Sequence, residues 1–413
     1  MKLGLPFGIS VFFWTFIGII RYLTEEYLPT KRKTIKPKVV VPISRVAACV
    51  PAHNEERAIA KTIKSLKKNI PAKDIYIASD GSTDKTAEIA RAQKCNVIEI
   101  NPGKGKARAL TLTIKKMKLL SKYDFLIIVD ADTRLDANYV SRALEFFARE
   151  KGYVAIAAYA LPYWRNYRRI TKSDFISAYR TRLYRILQWV FMYGQTWRYT
   201  NVNPVIPGFA AIYKTSTLKE LKLYVPGIWI EDFSLAFQIH KNNLGKIGHL
   251  PKIFAVYDDP RSILDYARQV RRWNIGFLQT VKYYGIWPSA FWLSLGLFTI
   301  ESLLFTLFTL LLPITVLLLS TQYYAPVINP SIITVSKFVS DYLVELWGIF
   351  VVFFLIDYAL TVIVALKDKK YSLLFYGLGF LFFQYLNSLI FVSSLPKGLF
   401  GKSQATWTPV KRK

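Results

Sequence analysis

The sequence contains few of the residues that cross-link small proteins or bind zinc. It has two cysteines and three histidines in 413 residues. Cys49 and Cys95 both fall in apolar runs that suggest buried strands, so we expect inert thiols rather than a disulfide. His53, His240 and His249 are too few to predict a zinc cluster. A disulfide framework and a zinc centre are therefore not expected.

Acidic residues are also scarce relative to basic ones. There are 27 Asp and Glu against 56 Lys and Arg, which gives a formal net charge of +29. A charge of this size suits nucleic acid, a negatively charged substrate or an anionic lipid surface. The lipid bilayer is favoured and no nucleic-acid partner is expected, because 52% of the residues are hydrophobic and several apolar stretches could cross a membrane.

The first apolar stretch lies at residues 3–20 and is followed by Arg21 and further basic residues. This pattern predicts a retained transmembrane anchor at residues 1–22 and a basic linker at 23–44. Because basic residues flank the cytoplasmic side of a membrane span, we expect the domain at residues 45–285 to be cytoplasmic. The chain is thus predicted to be a multi-pass protein of the plasma membrane.

Three more apolar stretches follow that domain, at residues 287–320, 342–366 and 371–392. They predict a C-terminal membrane region of about three spans within residues 286–395, before a basic tail at 396–413. Three crossings would leave this tail outside the cell, against the usual charge preference. The exact number of crossings and the side of the C-terminus stay open.

The acidic residues Glu301 and Asp357 lie inside these apolar stretches. An ionisable side chain is costly within a membrane. Each residue is expected either to snorkel or pair with a basic group, or to line a polar path through the bundle.

Between the membrane stretches, short apolar runs alternate with helical patterns. This alternation predicts an α/β domain with a mainly parallel sheet covered on both faces. The predicted strands lie at residues 45–50, 74–78, 96–100, 125–129 and 153–159. The predicted helices lie near residues 55–68, 83–92, 105–120 and 136–149. Residues 161–200 interleave arginines with aromatic residues, which favours helices at a membrane interface over a site for single-stranded nucleic acid.

Polar clusters follow three of these predicted strands. They are His53-Asn54-Glu55 after the first, the run at residues 80–84 after the second, and Asp130-Ala131-Asp132 after the fourth. Each cluster alone could be a helix cap. Because the carboxyl ends of parallel strands meet at one edge, where ligands bind in open α/β sheets, the three together favour a binding site. The two aspartates suit a hard divalent cation that also binds phosphate.

Further polar residues occur later in the domain. Residues 207–211 bend the chain back toward a strand ending at Lys214, and residues 227–240 predict a turn into a helix that carries Glu231 and Asp232. A helix predicted at residues 265–278 places three side chains on one face because they are spaced i, i+3 and i+4. These side chains are Gln269, Arg272 and Trp273.

Six of these features occur in the order found in one family. They are residues 51–55 (PAHNE), 79–82 (SDGS), 105–107 (GKA), 130–132 (DAD), 231–232 (ED) and 269–273 (QVRRW). In this respect the chain resembles the membrane-embedded family 2 glycosyltransferases, which include cellulose, hyaluronan, chitin and poly-N-acetylglucosamine synthases.

The resemblance implies a GT-A (Rossmann-like) catalytic domain flanked by transmembrane helices, a nucleotide-sugar donor, Mg²⁺ or Mn²⁺, and inversion at the anomeric carbon. It implies a catalytic base at Asp232, positioned or tuned by Glu231, and a metal held by Asp132 with help from Asp130. The donor-binding residues it implies are His53, Glu55, Asp80, Lys106, Asp130, Gln269 and Arg272. The acceptor-binding residues it implies are Trp273, Gly208 and Phe209.

The function expected from the resemblance is transfer of sugar, with a UDP-sugar as the expected donor, to a growing polysaccharide, with possible coupling to export. Transfer of a single sugar to a membrane lipid is the alternative within the same class. A basic membrane scaffold without catalysis is the alternative from another class. The sugar, the linkage and any protein partner stay open.

Overall fold

The computed structural model describes residues 8–27, 41–164, 167–171, 174–260, 262–328 and 332–401. Most of the predicted linker, at residues 28–40, and most of the predicted tail, at residues 402–413, lie outside the described residues.

A seven-stranded sheet forms the centre of the domain, in the order β3-β2-β1-β4-β8-β6-β9. Its members are β1 Val46–Ala52, β2 Ile75–Asp80, β3 Asn96–Ile100, β4 Phe125–Val129, β6 Tyr153–Ala157, β8 Ala210–Lys214 and β9 Lys246–Gly248. Every residue of β1 and of β4 is buried, as expected of strands covered on both faces. The four amino-terminal strands are parallel, and β8 runs antiparallel between β4 and β6. The α/β class is confirmed, and the sheet is mixed.

The predicted strand at residues 153–159 is in fact two strands that belong to different sheets. After β6, the amide of Ala158 donates to Ala210 O at 3.1 Å, whereas that of Tyr159 donates to Ile253 O at 2.8 Å. A second sheet of three strands results, in the order β5-β10-β7. Its strands are β5 Arg134–Leu135, β7 Tyr159–Pro162 and β10 Phe254–Tyr257. A single continuous strand was therefore the wrong prediction here.

Helices cover both faces of the large sheet. They are α2 Ile59–Leu66, α3 Thr86–Ala92, α4 Lys106–Lys116, α5 Leu119–Lys122, α6 Tyr139–Arg149, α9 Thr215–Glu220 and α10 Glu231–Lys241; α1, Ile9–Tyr22, precedes the sheet. The first helix of the domain begins four residues later than predicted because the polar residues before it form a loop. In this loop Asn54 has a left-handed φ of 54°.

The arginine-rich segment forms α7 (Phe175–Ile186), a π-helical turn at Leu187–Met192 and α8 (Tyr193–Gln195). The helix predicted at 265–278 is longer and becomes α11, Ile263–Tyr284, which begins at a serine cap where Asp265 N donates to Ser262 Oγ at 3.1 Å.

The apolar helices are α12 (Ala290–Ile328), α13 (Ile332–Asp368), α14 (Ser372–Gly377) and α15 (Phe380–Leu399). Among the described residues, Ala290–Ile314 and Phe350–Asp368 are long and apolar enough to cross a membrane. The stretch predicted at residues 371–392 is divided into α14 and α15 by a turn at residues 378–379. The predicted anchor at residues 1–22 corresponds to α1, a helix of 14 residues. The first seven residues of the predicted anchor lie outside the described residues.

Candidate active site

The first two polar clusters hydrogen-bond to each other at the carboxyl edge of the sheet. Thr83 N donates to Asn54 Oδ1 at 2.8 Å, and Glu56 N donates to Asp84 Oδ2 at 3.0 Å. His53 lies beside the end of β2, with its Nδ1 at 2.5 Å from Asp80 O. The clusters therefore brace two neighbouring loops at this edge of the sheet.

Asp80 is the last residue of β2, and its side chain is committed to the protein. Its two carboxylate oxygens accept hydrogen bonds from the amides of Lys104 and Gly105, each at 2.7 Å. The residue is 1% exposed. In this structure Asp80 therefore holds the loop that leads into α4, and its expected contact with a donor stays a prediction.

Lys106 is the first residue of α4 and lies at the centre of the carboxylate cluster. Its Nζ is 2.8 Å from Asp130 Oδ1 and 2.8 Å from Glu231 Oε1. Burial pulls the pKa of Lys106 down, but the carboxylates of Asp130, Glu231 and Asp232 outweigh it and hold that pKa well above its ordinary value. The lysine therefore stays charged and joins the edge of the sheet to the start of α10.

Gly208 lies against the same cluster, at a position where a side chain would not fit. A Cβ there would lie 2.4 Å from Asp232 Oδ1, 2.7 Å from Lys106 Nζ and 3.1 Å from Glu231 Oε1. The next residue, Phe209, accepts the amide of Asp130 at 3.0 Å through its carbonyl oxygen. Residues 207–211 thus bring the backbone against the charged side chains, and Gly208 leaves the room that they occupy.

The pKa values of the adjacent residues Glu231 and Asp232 are shifted in opposite directions by their surroundings. Burial favours the neutral form of Glu231, but Lys106 and Arg272 outweigh it, so the pKa of Glu231 is lowered. Burial and the charge of Glu231 together raise the pKa of Asp232 to about 7, despite the opposing effect of Lys106. A carboxylate with a pKa near neutrality is suited to accept a proton from a hydroxyl group.

Helix α11 contributes three of the predicted residues to the same cavity, namely Gln269, Arg272 and Trp273. The Nε atom of Arg272 is buried and has no hydrogen-bond partner among the described residues. A buried donor of this kind is suited to an anionic oxygen of a ligand. Ile230, just before α10, reaches α11 as well, since a Cβ on Gly276 would lie 2.3 Å from Ile230 Cγ1.

A cavity of about 1550 Å³ connects this cluster with the apolar helices. One end is lined by Lys106, Asp130, Asp132, Asp232 and Arg272, and the other by Phe305, Phe308, Phe353 and Phe391. The cavity therefore reaches from the edge of the sheet into the helical bundle.

Glu301 and Asp357, from the apolar helices α12 and α13, line this cavity. Asp357 forms an ion pair with Arg182 and accepts a hydrogen bond from Gln384 Nε2 at 3.0 Å. Glu301 accepts the amide of Ser10, at the start of α1, at 2.9 Å. Pairing with a basic group is thus confirmed for Asp357, whereas the partner of Glu301 is a backbone amide.

The domain that holds this cavity is similar to known glycosyltransferases. Residues 47–221 match the family model described as Glycosyl transferase family 2. The chain carries a family 2 glycosyltransferase domain. It is 24% identical over 276 residues to the poly-β-1,6-N-acetyl-D-glucosamine synthase of Staphylococcus epidermidis, which is 66% of this chain and 63% of that protein. It is 25% identical over 278 residues to the synthase of the same name from Staphylococcus aureus, with the same coverages of 66% and 63%. The matched region thus spans less than two thirds of these curated relatives.

The family 2 glycosyltransferase domain also has the expected GT-A fold. A mannosyltransferase from Pyrobaculum calidifontis, solved in complex with GDP-Man and Mn²⁺, superposes with a TM-score of 0.51 at 14% identity, covering 95% of this chain and 99% of that one.

A metal bound to this glycosyltransferase domain would have two carboxylates available. Asp130 and Asp132 both line the cavity, and no group of three or more His, Cys, Asp or Glu that could hold a metal occurs in the described part of the chain. A pair of hard oxygen ligands fits Mg²⁺ or Mn²⁺, which are commonly held by one or two carboxylates together with phosphate oxygens. The residues present therefore fit the expected cofactor.

Sequence reasoning missed Arg180 and Asp259. Their side chains are each 2% exposed, and Arg180 Nε lies 3.0 Å from Asp259 Oδ1. Arg180 is one of several arginines in the basic aromatic segment, and no local pattern distinguishes it from the others. Arg180 is distinguished by its contacts with residues distant in sequence, which only the tertiary structure shows.

Proposed function

We propose that this protein is an inverting glycosyltransferase that moves a sugar from a nucleotide-sugar donor to a growing polysaccharide. The observation that carries the proposal is the continuity of the cavity, which joins the charged cluster at Lys106, Asp130 and Asp232 to the apolar helices. Such a path gives an acceptor room to lie with one end at the reaction centre and the remainder in the bundle.

Asp232 is the proposed catalytic base. In a single displacement, the acceptor hydroxyl oxygen forms a bond to the anomeric carbon while the bond from that carbon to the diphosphate oxygen breaks, and the hydroxyl proton passes to the Asp232 carboxylate. Its raised pKa, about 7, suits this transfer near neutral pH. Glu231 is proposed to tune Asp232 through its negative charge and to hold Lys106 in place.

The leaving diphosphate needs positive charge where its own charge develops. Lys106 and Arg272 line the cavity beside the carboxylates and are proposed to bind it, the latter through its unpaired buried Nε. Asp130 and Asp132 would hold Mg²⁺ or Mn²⁺, which when bound neutralises phosphate charge. The Mn²⁺ in the mannosyltransferase of similar fold supports this part of the proposal.

Further roles rest on the family resemblance and on position. His53 and Glu55, beside the ends of β1 and β2, are proposed to contact the nucleoside, and Gln269 to contact the donor sugar. Trp273, Gly208 and Phe209 all line the cavity and are proposed to lie beside the acceptor. A UDP-sugar is the proposed donor, although the mannosyltransferase of similar fold binds GDP-Man.

Two kinds of acceptor are each favoured by a different observation. The names of the Staphylococcus synthases favour a polysaccharide. The phenylalanine-rich end of the cavity favours a lipid chain, and therefore transfer of a single sugar to a membrane lipid. A chain that spans the plasma membrane more than once, with the catalytic domain in the cytoplasm, is proposed for either acceptor.

A panel of UDP- and GDP-sugars tests the proposal with purified protein in lipid nanodiscs. Nucleotide release that requires Mg²⁺ or Mn²⁺ is expected with at least one donor. Product length then separates the acceptors, since a polymer ladder indicates a polysaccharide and a single glycolipid indicates a lipid. Absence of release from every donor would favour a non-catalytic membrane scaffold.

A further inference from the structure

Arg180 lines the cavity and contacts two side chains of α11 that also line it. One guanidinium nitrogen, Nη1, donates to Gln269 Oε1, and its Cζ lies 5.3 Å from the centre of the Trp273 ring. Both contacts join α7 to α11, although residues 187–262 separate the two helices in sequence. Arg180 is therefore placed to fix the orientation of both side chains.

Arg180 is itself held rigidly. Its Nε lies 3.0 Å from Asp259 Oδ1, and its Nη2 donates to Tyr184 OH at 3.1 Å. The rings of Tyr184 and Tyr257 each lie 5.3 Å from its Cζ. A charged fork with an ionic partner, a hydroxyl acceptor and aromatic neighbours has little freedom to adopt another rotamer.

The contact with Arg180 determines which end of the Gln269 amide faces the cavity. A guanidinium group can only donate hydrogen bonds, so the oxygen of the amide must face Arg180. The amide NH₂ is then the group left to meet a ligand. Gln269 should consequently donate to an oxygen atom of the substrate, such as a sugar hydroxyl or a phosphate oxygen.

We propose that Arg180, anchored by Asp259, is a positioning residue that orients the Gln269 amide and the Trp273 ring for sugar transfer. The effect of Arg180 on transfer rests on the proposed function, whereas its effect on the two side chains does not. Among the described residues Arg180 pairs with Asp259, whereas Lys106 pairs with Asp130 and Glu231, so removal of Arg180 should alter catalysis more than donor affinity.

The first experiment measures kcat and donor KM for Arg180→Gln, Asp259→Asn and Arg180→Lys, with the donor that the wild-type protein uses. We expect kcat to fall about tenfold or more in the first two variants, with donor KM changed by less than about threefold. Arg180→Lys should recover part of the loss, because a lysine keeps the charge beside Asp259 but cannot donate to Gln269 and Tyr184 as a fork.

Arg185→Gln is the matched control. Arg185 is also on α7 and also forms an ion pair, with Asp368 at 2.7 Å, but it does not line the cavity. Wild-type kcat and KM are expected for this variant. An equal loss in Arg185→Gln and Arg180→Gln would overturn the proposal, because it would indicate a general effect of disturbing α7.

Gln269→Glu tests the orientation of the amide separately. A glutamate keeps an oxygen for Arg180 but replaces the NH₂ group by a second oxygen, so we expect a loss of kcat comparable to that of Arg180→Gln. Wild-type kcat in Gln269→Glu would overturn the proposed orientation.

A single variant could misfold, because each leaves an unpaired charge in a buried place. The double variant Arg180→Gln with Asp259→Asn removes both charges together and provides a folded comparison. Wild-type kcat in the folded double variant would refute the positioning role, and a loss of about tenfold or more would support it.

A readout without catalysis distinguishes failure of this proposal from failure of the proposed function. Protein labelled with 5-fluorotryptophan gives ¹⁹F signals, and the signal of Trp273 is assigned with Trp273→Phe. We expect this signal to shift or broaden in the double variant and to be unchanged in Arg185→Gln. An unchanged signal in the double variant would contradict positioning, whether or not the wild-type protein releases nucleotide.

Discussion

Replacement of Gly208 by alanine tests the geometry of the charged cluster with one added methyl group. The Cβ would lie 2.4 Å from Asp232 Oδ1, where ordinary contact begins near 3.4 Å. It would also lie 2.7 Å from Lys106 Nζ. The backbone of Gly208 is outside the left-handed region, so an alanine is strained by its neighbours and not by its own φ.

The expected effect follows from the difference between this distance and that of an ordinary contact. The Asp232 carboxylate must move by about 1 Å, and a displacement of that size can cost about 10²-fold in rate. Because the site is packed, we also expect Gly208→Ala to lower the free energy of unfolding by about 1–3 kcal/mol. The assay is steady-state nucleotide release together with a thermal melt of the purified variant.

Gly296→Ala serves as the matched control for Gly208→Ala. Gly296 lies in α12, and a Cβ there would meet nothing within 4 Å. We expect wild-type activity and unchanged or slightly higher stability, since alanine favours a helix over glycine. A folded Gly208→Ala protein with the kcat of the wild type would refute the inferred packing of Gly208 against Asp232 and Lys106.

Four further predictions concern the charged residues and the membrane. Asp232→Asn should keep donor binding, measured by calorimetry, and lose transfer by about 10²-fold or more; normal transfer would remove Asp232 as the base. In the wild type, kcat should rise with pH and level off above about 7, because only the ionised Asp232 accepts a proton. A kcat that does not fall at acid pH would count against Asp232 as the base. Glu231→Gln should move this rise in kcat to lower pH, because it removes a like charge beside Asp232. Asp132→Asn should abolish metal-dependent release while the melting temperature is kept, and activity of the wild type in a chelator would contradict the metal role. Cysteines engineered into exposed positions of residues 45–285 should be protected from impermeant reagents in intact cells, and ready labelling would overturn the proposed cytoplasmic location.

The sequence alone was sufficient for the class of the fold and for the edge at which the site lies. Alternating apolar runs and helical patterns are local signals, and the run before Asp130 is buried throughout as β4. Parallel strands place their carboxyl ends at one edge, so the residues that follow β1, β2 and β4 come together without further information. The positions of His53, Asp130 and Asp132 at this edge were therefore predictable.

Only the tertiary structure decided how distant residues meet. The break between β6 and β7 at Ala158 depends on two different hydrogen-bond partners, Ala210 O and Ile253 O, and no local periodicity encodes them. The same is true of Lys106, which joins Asp130 to Glu231 across more than a hundred residues. Arg180 resembled the other arginines of its segment, and Asp357 stood out in its apolar stretch without a visible partner; their partners Asp259 and Arg182 are fixed by tertiary packing. Local patterns specify where polar groups occur along the chain, whereas long-range packing specifies which of them share a buried volume and hence which charges must be paired.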